Sequence, residues 1–166
     1  MEKIIRVLNE LVRAGVVDRY AIGGAVGVIF YTEAVSTKDV DVFVSAPQTP
    51  SGVIHLGSIY DYLKRAGYPM EGQYFIIDGV PVDFLAVYDD LTMEALERST
   101  LKRVGKTMAR VFRPEYLAAV ALKTGRPQDM KKIDLLVAAP GLDEDSLKDL
   151  LKRHGLLDKW RRYVNG

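Results

Sequence analysis

The sequence predicts an α+β domain: a mixed β-sheet of about four or five strands with helices on one side, followed by a C-terminal helical subdomain. Three observations carry this. Short β-rich runs bounded by Gly, Pro and Asp fill the first two thirds of the chain. From Pro114 to the end the apolar spacing is helical. The acidic residues at 39, 41 and 83 fall inside the β-rich runs rather than in the turns between them, which marks a strand face that does something other than pack.

At 166 residues the chain has room for one compact unit, divided in this reading into a core over 1–112 and a C-terminal helical segment over 113–166. Apolar residues at Ile4, Ile5, Leu8, Leu11 and Val12 share one helix face, and Gly15 is a stop. Tyr20-Ala21-Ile22 runs as a strand into Gly23-Gly24 and a small-residue helix over Ala25 to Tyr31. Asp39-Val40-Asp41-Val42-Phe43-Val44 alternates as a strand, which Pro47 and Pro50 end, and a helix is expected from Ser51 to Ala66. Tyr74 to Ile77 and Val80 to Val87 form a hairpin turning at Asp78-Gly79. A helix follows over Asp89 to Ser99, then a hairpin folding Leu101–Val104 on Met108–Phe112 about Gly105-Lys106. The C-terminal helices are punctuated at Gly125-Arg126-Pro127, Pro140-Gly141 and Gly155.

Composition removes several classes of function. There is no cysteine, so disulfides, thiol catalysis and thiolate zinc sites are excluded together. The 23 basic residues balance 22 acidic ones, leaving no global field to draw the protein onto nucleic acid or an anionic membrane. No apolar run reaches the length of a membrane span, so no membrane contact and a cytoplasmic location are expected. His55 and His154 lack neighbouring ligands and read as surface or packing residues. Gly105-Lys106-Thr107 lacks the upstream glycine of a P-loop, and Gly23-Gly24-Ala25-Val26-Gly27 lacks the dinucleotide fingerprint. Acidic residues interleave the C-terminal basic set, which reads as a solvated helix face, with Trp160 and Tyr163 anchoring the last helix.

What remains is an acidic constellation. Asp39 and Asp41, two apart on a strand, leave the same face roughly 6 to 7 Å apart. Such a pair repels itself unless a hard cation sits between, and magnesium takes oxygen ligands of this kind. Asp83, in Pro81-Val82-Asp83-Phe84-Leu85, is an acid inside an apolar strand; it either pairs with a cation or completes the cluster.

The order Ile22-Gly23-Gly24, helix, Asp39-Val40-Asp41-Val42, then a later strand carrying Asp83 resembles the signature of the nucleotidyltransferase superfamily, the DNA polymerase beta-like fold. The resemblance implies metal-dependent transfer of an NMP from an NTP, ATP among the candidates, to an acceptor hydroxyl. An RNA 3′ end, a protein or a small molecule stay open as acceptor. Asp39, Asp41 and Asp83 would be the catalytic acids and would hold Mg2+ (or Mn2+). Gly23 and Gly24 would admit the triphosphate to the backbone, with Ser36, Thr37 and Lys38 beside it, and valine at position 24 would block that approach while leaving the fold intact. Arg113-Pro114-Glu115-Tyr116 followed by Lys123, Arg126 and Asp129 resembles the AbiEii/MenT-type toxin branch, in which Lys123 and Arg126 would reach the phosphates and a cognate toxin or antitoxin chain would be a partner. Val35, Gln128 and Lys132 stand where that branch commonly has Arg, Lys and Asp. Two other readings use the same acids: a non-catalytic module binding nucleotide or a partner protein, and a metal-dependent phosphoesterase.

Overall fold

The computed structural model describes residues 1–33, 36–45 and 56–166. Pro47, Pro50, Ser51 and His55 lie outside the described residues. Helix α1 (Glu2–Arg13) leads to β1 (Arg19–Ile22), α2 (Gly24–Ile29) and β2 (Val40–Ser45). Next come α3 (Gly57–Arg65), β3 (Met70–Glu71), β4 (Tyr74–Ile77), β5 (Val80–Ala86) and α4 (Asp90–Glu97). A hairpin of β6 (Thr100–Val104) and β7 (Thr107–Val111) precedes α5 (Pro114–Thr124), α6 (Pro127–Ala138), α7 (Glu144–Arg153) and α8 (Leu157–Asn165). No helix among the described residues is long and apolar enough to cross a membrane.

The strands form one mixed sheet in the order β3-β4-β5-β2-β1-β7-β6. It is wider than the four or five strands expected. β3 is only two residues long and leaves no pattern to read, and the β6–β7 hairpin joins the sheet through one parallel register pair, Ile22 with Val111. At the centre β2 runs parallel to β5 and antiparallel to β1.

Period-2 alternation decides what each face does. Val40, Val42 and Val44 of β2 are wholly buried, with Tyr20 and Ile22 of β1 and Val82 and Phe84 of β5, against Ile4, Ile5, Leu8 and Leu11 of α1 and Ile59 and Leu63 of α3. The intervening residues, Asp41, Phe43 and Asp83, therefore face the other way. On that side a second core gathers Ala21, Phe112 and Val28 with Leu91, Ala95 and Leu96 of α4 and the apolar sides of α5, α6 and α7. Phe43 lies against it, its ring 4.8 Å from that of Phe112.

Across the shallow β1–β7 seam, α1 acts as a splint. Asn9 donates to the Met108 carbonyl at 3.1 Å and accepts from the Tyr20 hydroxyl at 2.8 Å. The Lys106 amide at the hairpin tip donates to the Glu2 carboxylate at 3.3 Å.

The helical end is tied by one carboxylate. Glu94 of α4 accepts from the Tyr116 hydroxyl of α5 at 2.7 Å and from both terminal nitrogens of Arg153 of α7 at 2.9 and 2.8 Å. Its other neighbour is Nε2 of His154, at 2.6 Å. The Arg153 guanidinium, assisted by Tyr116 and His154, outweighs burial and holds the Glu94 carboxyl at about 2, below its ordinary 4.5. A depressed carboxylate stabilises the fold above its unfolded pKa and loses that contribution as the pH falls through the folded value. Glu94→Gln is therefore expected to cost about 1.5 kcal/mol at neutral pH, since the network is partly solvated. The difference from wild type should fade between about pH 4.5 and about 2; thermal melts of both chains across that range check it.

Candidate active site

The cleft is built where the second face of the sheet is not covered by helices. Parallel pairing sets Asp41 of β2 directly beside Asp83 of β5, so the two side chains leave the same face about 4.8 Å apart at the backbone. Asp39 precedes β2 on the same side. All three line a cavity of about 800 Å3, together with Gly24, Phe43, Gln73, Tyr88, Lys123, Arg126, Asp129 and Lys132 among others.

Each acid is held differently. Thr37 donates to a side-chain oxygen of Asp39 at 3.1 Å. Asp83, buried at 9% exposure, accepts a 2.6 Å hydrogen bond on Oδ2 from the Gln73 amide. Burial pushes the Asp41 carboxyl up, and the charges of Asp39 and Asp83 push it further, against opposing pulls from Lys132 and Arg126. Burial also raises Asp83; the Gln73 hydrogen bond acts against that and Asp39 with it. Among the described residues no three acidic or histidine side chains are drawn close enough to grip an ion as they stand. The donor chemistry nevertheless fits a hard cation: carboxylate oxygens only, on one face, mutually repelling and partly dry.

The glycine pair has an intramolecular reason. Gly24 has φ +56°, and a Cβ there would stand 2.0 Å from Oδ2 of Asp41. At Gly23 a Cβ would stand 2.6 Å from the Phe43 ring. The Gly23 amide donates to the Asp41 carbonyl at 3.0 Å. The start of α2 is thus laid against the β2 backbone and against the very carboxylate it neighbours, so a side chain at 24 meets Asp41 before it meets any ligand.

Opposite the acids stands a cationic wall from α5 and α6. Lys123 and Arg126 both line the cavity, as their spacing from the α5 terminus allows. Lys123 lies 3.3 Å from the carboxylate of Asp89, which also caps α4 by accepting from the Thr92 amide at 2.8 Å. Asp129, 2% exposed, accepts from Arg126 Nε at 2.8 Å and from Lys132 Nζ at 2.9 Å. Burial works against its charge, but those two cations outweigh it and hold the carboxyl below its ordinary range. In return Asp129, and more distantly Asp41 and Asp39, raise the Arg126 pKa.

Of the residues singled out from sequence, Gly24, Asp39, Asp41, Asp83, Lys123 and Arg126 share the cavity wall. Gly23 lies behind it as the residue before α2. Thr37 is engaged with Asp39, whereas Ser36 and Lys38 are exposed and do not line the cavity. Sequence reading did not find Gln73, Asp89 or the cleft role of Lys132. Lys132 stood out as a departure from a family pattern, and its i,i+3 spacing from Asp129 was the available signal. Nothing marks Gln73, a turn residue between β3 and β4 whose reach to Asp83 depends on strand pairing.

Comparison with known proteins agrees with this architecture. A nucleotidyltransferase-like antigenic protein from Paracoccidioides brasiliensis superposes with a TM-score of 0.56 at 14% identity, covering 95% of this chain and 90% of that one. The antibiotic-resistance factor ANT(2")-Ia, in complex with adenylyl-2"-tobramycin, gives 0.54 at 12% identity over 95% and 97% of the two chains. Its solution structure gives 0.50 at 12% identity over 98% and 100%. At such identities the likeness is one of fold. No curated protein is detectably similar in sequence. A family model, however, matches residues 1–154. With a nucleotidyltransferase fold, paired acids on β2 and β5 and cations across the cleft, this chain belongs to the family described as "nucleotidyl transferase of unknown function" (DUF2204).

Proposed function

We propose that the cleft transfers an NMP from an NTP to an acceptor hydroxyl, using Mg2+ or Mn2+ held by Asp39, Asp41 and Asp83. The observation that carries this is the opposition of three acids and three cations across one cavity of about 800 Å3, a volume in the range of small-molecule sites. The bound ion would polarise phosphate oxygens and ease deprotonation of the hydroxyl. Lys123, Arg126 and Lys132 would bind the triphosphate from the far wall. The acceptor oxygen attacks the α-phosphorus, the bond to the β-phosphate oxygen breaks, and pyrophosphate leaves. Asp83, which lines the cavity and has one oxygen fixed by the Gln73 amide, would take the acceptor's proton. The 1–112 core and the 113–166 helical segment act as one unit in this reading, because the cations come from the second and the acids from the first. Membership of the AbiEii/MenT-type branch, with a cognate partner chain, is the finer form of the proposal.

Two observations favour a non-catalytic nucleotide-binding module instead: among the described residues the acids are not gathered tightly, and each cleft cation is already paired with Asp89 or Asp129. Incubation with each α-labelled NTP and Mg2+ or Mn2+ decides between the two readings, with total RNA, the protein itself and a panel of small polyhydroxyl acceptors, the class of the tobramycin adduct seen with ANT(2")-Ia. Label on a recovered acceptor is expected with at least one NTP. Binding of NTP without transfer to any acceptor would assign the module.

Asp41→Asn should abolish transfer, raise the melting temperature of the metal-free chain by relieving repulsion, and remove the stabilisation given by Mn2+ with NTP. That stabilisation is about 2.7 kcal/mol when free ligand is 100-fold above its dissociation constant. A variant that melts lower in chelator yet responds normally to metal would make Asp41 structural. Gly24→Ala should act in the opposite sense on stability. Its left-handed backbone costs about 1–2 kcal/mol, and its Cβ displaces Asp41, so both the melting temperature and the metal response should fall; an unchanged metal response would separate the glycine from the site.

A further inference from the structure

Helix α8 lies beyond the family match, which ends at residue 154. It buries no residue completely and docks through three side chains. Trp160 and Tyr163, their rings 5.4 Å apart, pack on the second core. The Tyr163 hydroxyl donates to Asp134 of α6. The third contact is Lys159, whose Nζ donates to the main-chain carbonyl of Lys123 at 2.9 Å.

Lys123 O is one of the last carbonyls of α5, which the helix cannot satisfy itself. The chain leaves α5 through Gly125 at φ +73°, its amide bonded to Ala121 O, and re-enters helix at Pro127. Lys159 Nζ stands 2.8 Å from where a Cβ on Gly125 would project, so the ammonium rests on the bare left-handed turn and compensates the negative end of the α5 dipole. That turn separates Lys123 from Arg126. With Asp134 held on α6 and Lys123 held on α5, α8 spans the joint on which the spacing of the cleft cations depends.

We propose that Lys159 is a positioning residue for the phosphate-binding wall: α8 clamps the α5–α6 corner from behind and fixes Lys123 relative to Arg126. The inference rests on the reading of the cleft as an NTP site. Lys159 does not line the cavity, so it acts on nucleotide only through the corner it caps. It follows that nucleotide affinity depends on whether α8 is docked, although α8 carries none of the acids.

Trp160 is the only tryptophan of the chain and follows Lys159, so its emission reports α8 alone. The test compares wild type with Lys159→Met, which keeps the aliphatic stem, and Lys159→Arg, which keeps the charge. Three readouts are hydrogen exchange of residues 122–129, calorimetric titration with each of ATP, CTP, GTP and UTP plus Mg2+, and Trp160 emission during titration. Lys159→Met should speed exchange at the corner while the interior amides of α5 keep wild-type rates. It should also weaken nucleotide binding about tenfold, because the nucleotide must then order a corner that Lys159 no longer holds, with kcat on any transferred acceptor little changed. Lys159→Arg should restore most of the affinity, and nucleotide should shift the Trp160 emission of wild type. Wild-type affinity or wild-type corner exchange in Lys159→Met overturns the clamp and leaves the NTP reading standing. A fall in kcat with affinity unchanged also overturns it. Failure of wild type to bind any of the four nucleotides overturns the NTP reading, and the clamp's role in it falls too.

Discussion

The parallel register of β2 with β5 sets two carboxylates side by side in a half-dry crevice, and most of the remaining structure answers to that constraint. Neighbouring like charges at low dielectric repel strongly, and burial removes the water that would screen them. The fold tolerates the pair because the backbone leaves little choice. Val40, Val42 and Val44 are committed to the first core, as are Val82 and Phe84, so the alternate positions must face the cleft. A one-residue slip would move the acids into the first apolar core and the valines onto the cleft face. The hydrophobic pattern on one face thus enforces an electrostatic cost on the other.

The far wall is ordered by carboxylates of the chain itself. Asp129, almost wholly buried, is a fixed anchor for Arg126 and Lys132, while Asp89 serves both as a helix cap and as the partner of Lys123. The cations are thereby extended toward the cleft rather than folded onto the surface. Arg126 keeps its guanidinium exposed while its buried anchor Asp129 holds it in place, the arrangement that the proposed phosphate role would use. Preorganisation here comes from carboxylates behind the cations rather than from the cations' own rotamer preferences.

The sequence reveals much of this because short-range periodicity was sufficient. Period 2 alone puts Asp39 and Asp41 on one face, and glycine stops, Pro114 at the start of α5 and Asp78-Gly79 mark the element boundaries observed at those places. The apolar run from Pro114 identified the helices that carry Lys123 and Arg126. What escaped depends on contacts between segments far apart in the chain. Gln73 reaches Asp83 only through the pairing of β4 with β5, and β3 is too short for any period. Lys132, visible in sequence only as a departure from a family pattern, becomes part of the site because Asp129 beside it is buried. The glycine pair reads in sequence as the place where a triphosphate meets the backbone; in the structure the group that approaches Gly24 is the chain's own Asp41.

The seam between β1 and β7, bridged by one register pair and splinted by α1 through Asn9, Tyr20 and Glu2, bears on how such a chain can evolve. So light a ladder leaves the outer strand β6 and the turn open to lengthening or shortening without disturbing the β2–β5 register, while Ala109 and Val111 of β7 stay committed to the first core. The hairpin's fate is linked to α1, however, because the helix supplies the polar contacts that the ladder lacks. Lineages that remodel the β6–β7 hairpin should show compensating change in the first helix, and changes at Asn9 should track changes near Met108, although the two positions lie at opposite ends of the core sequence.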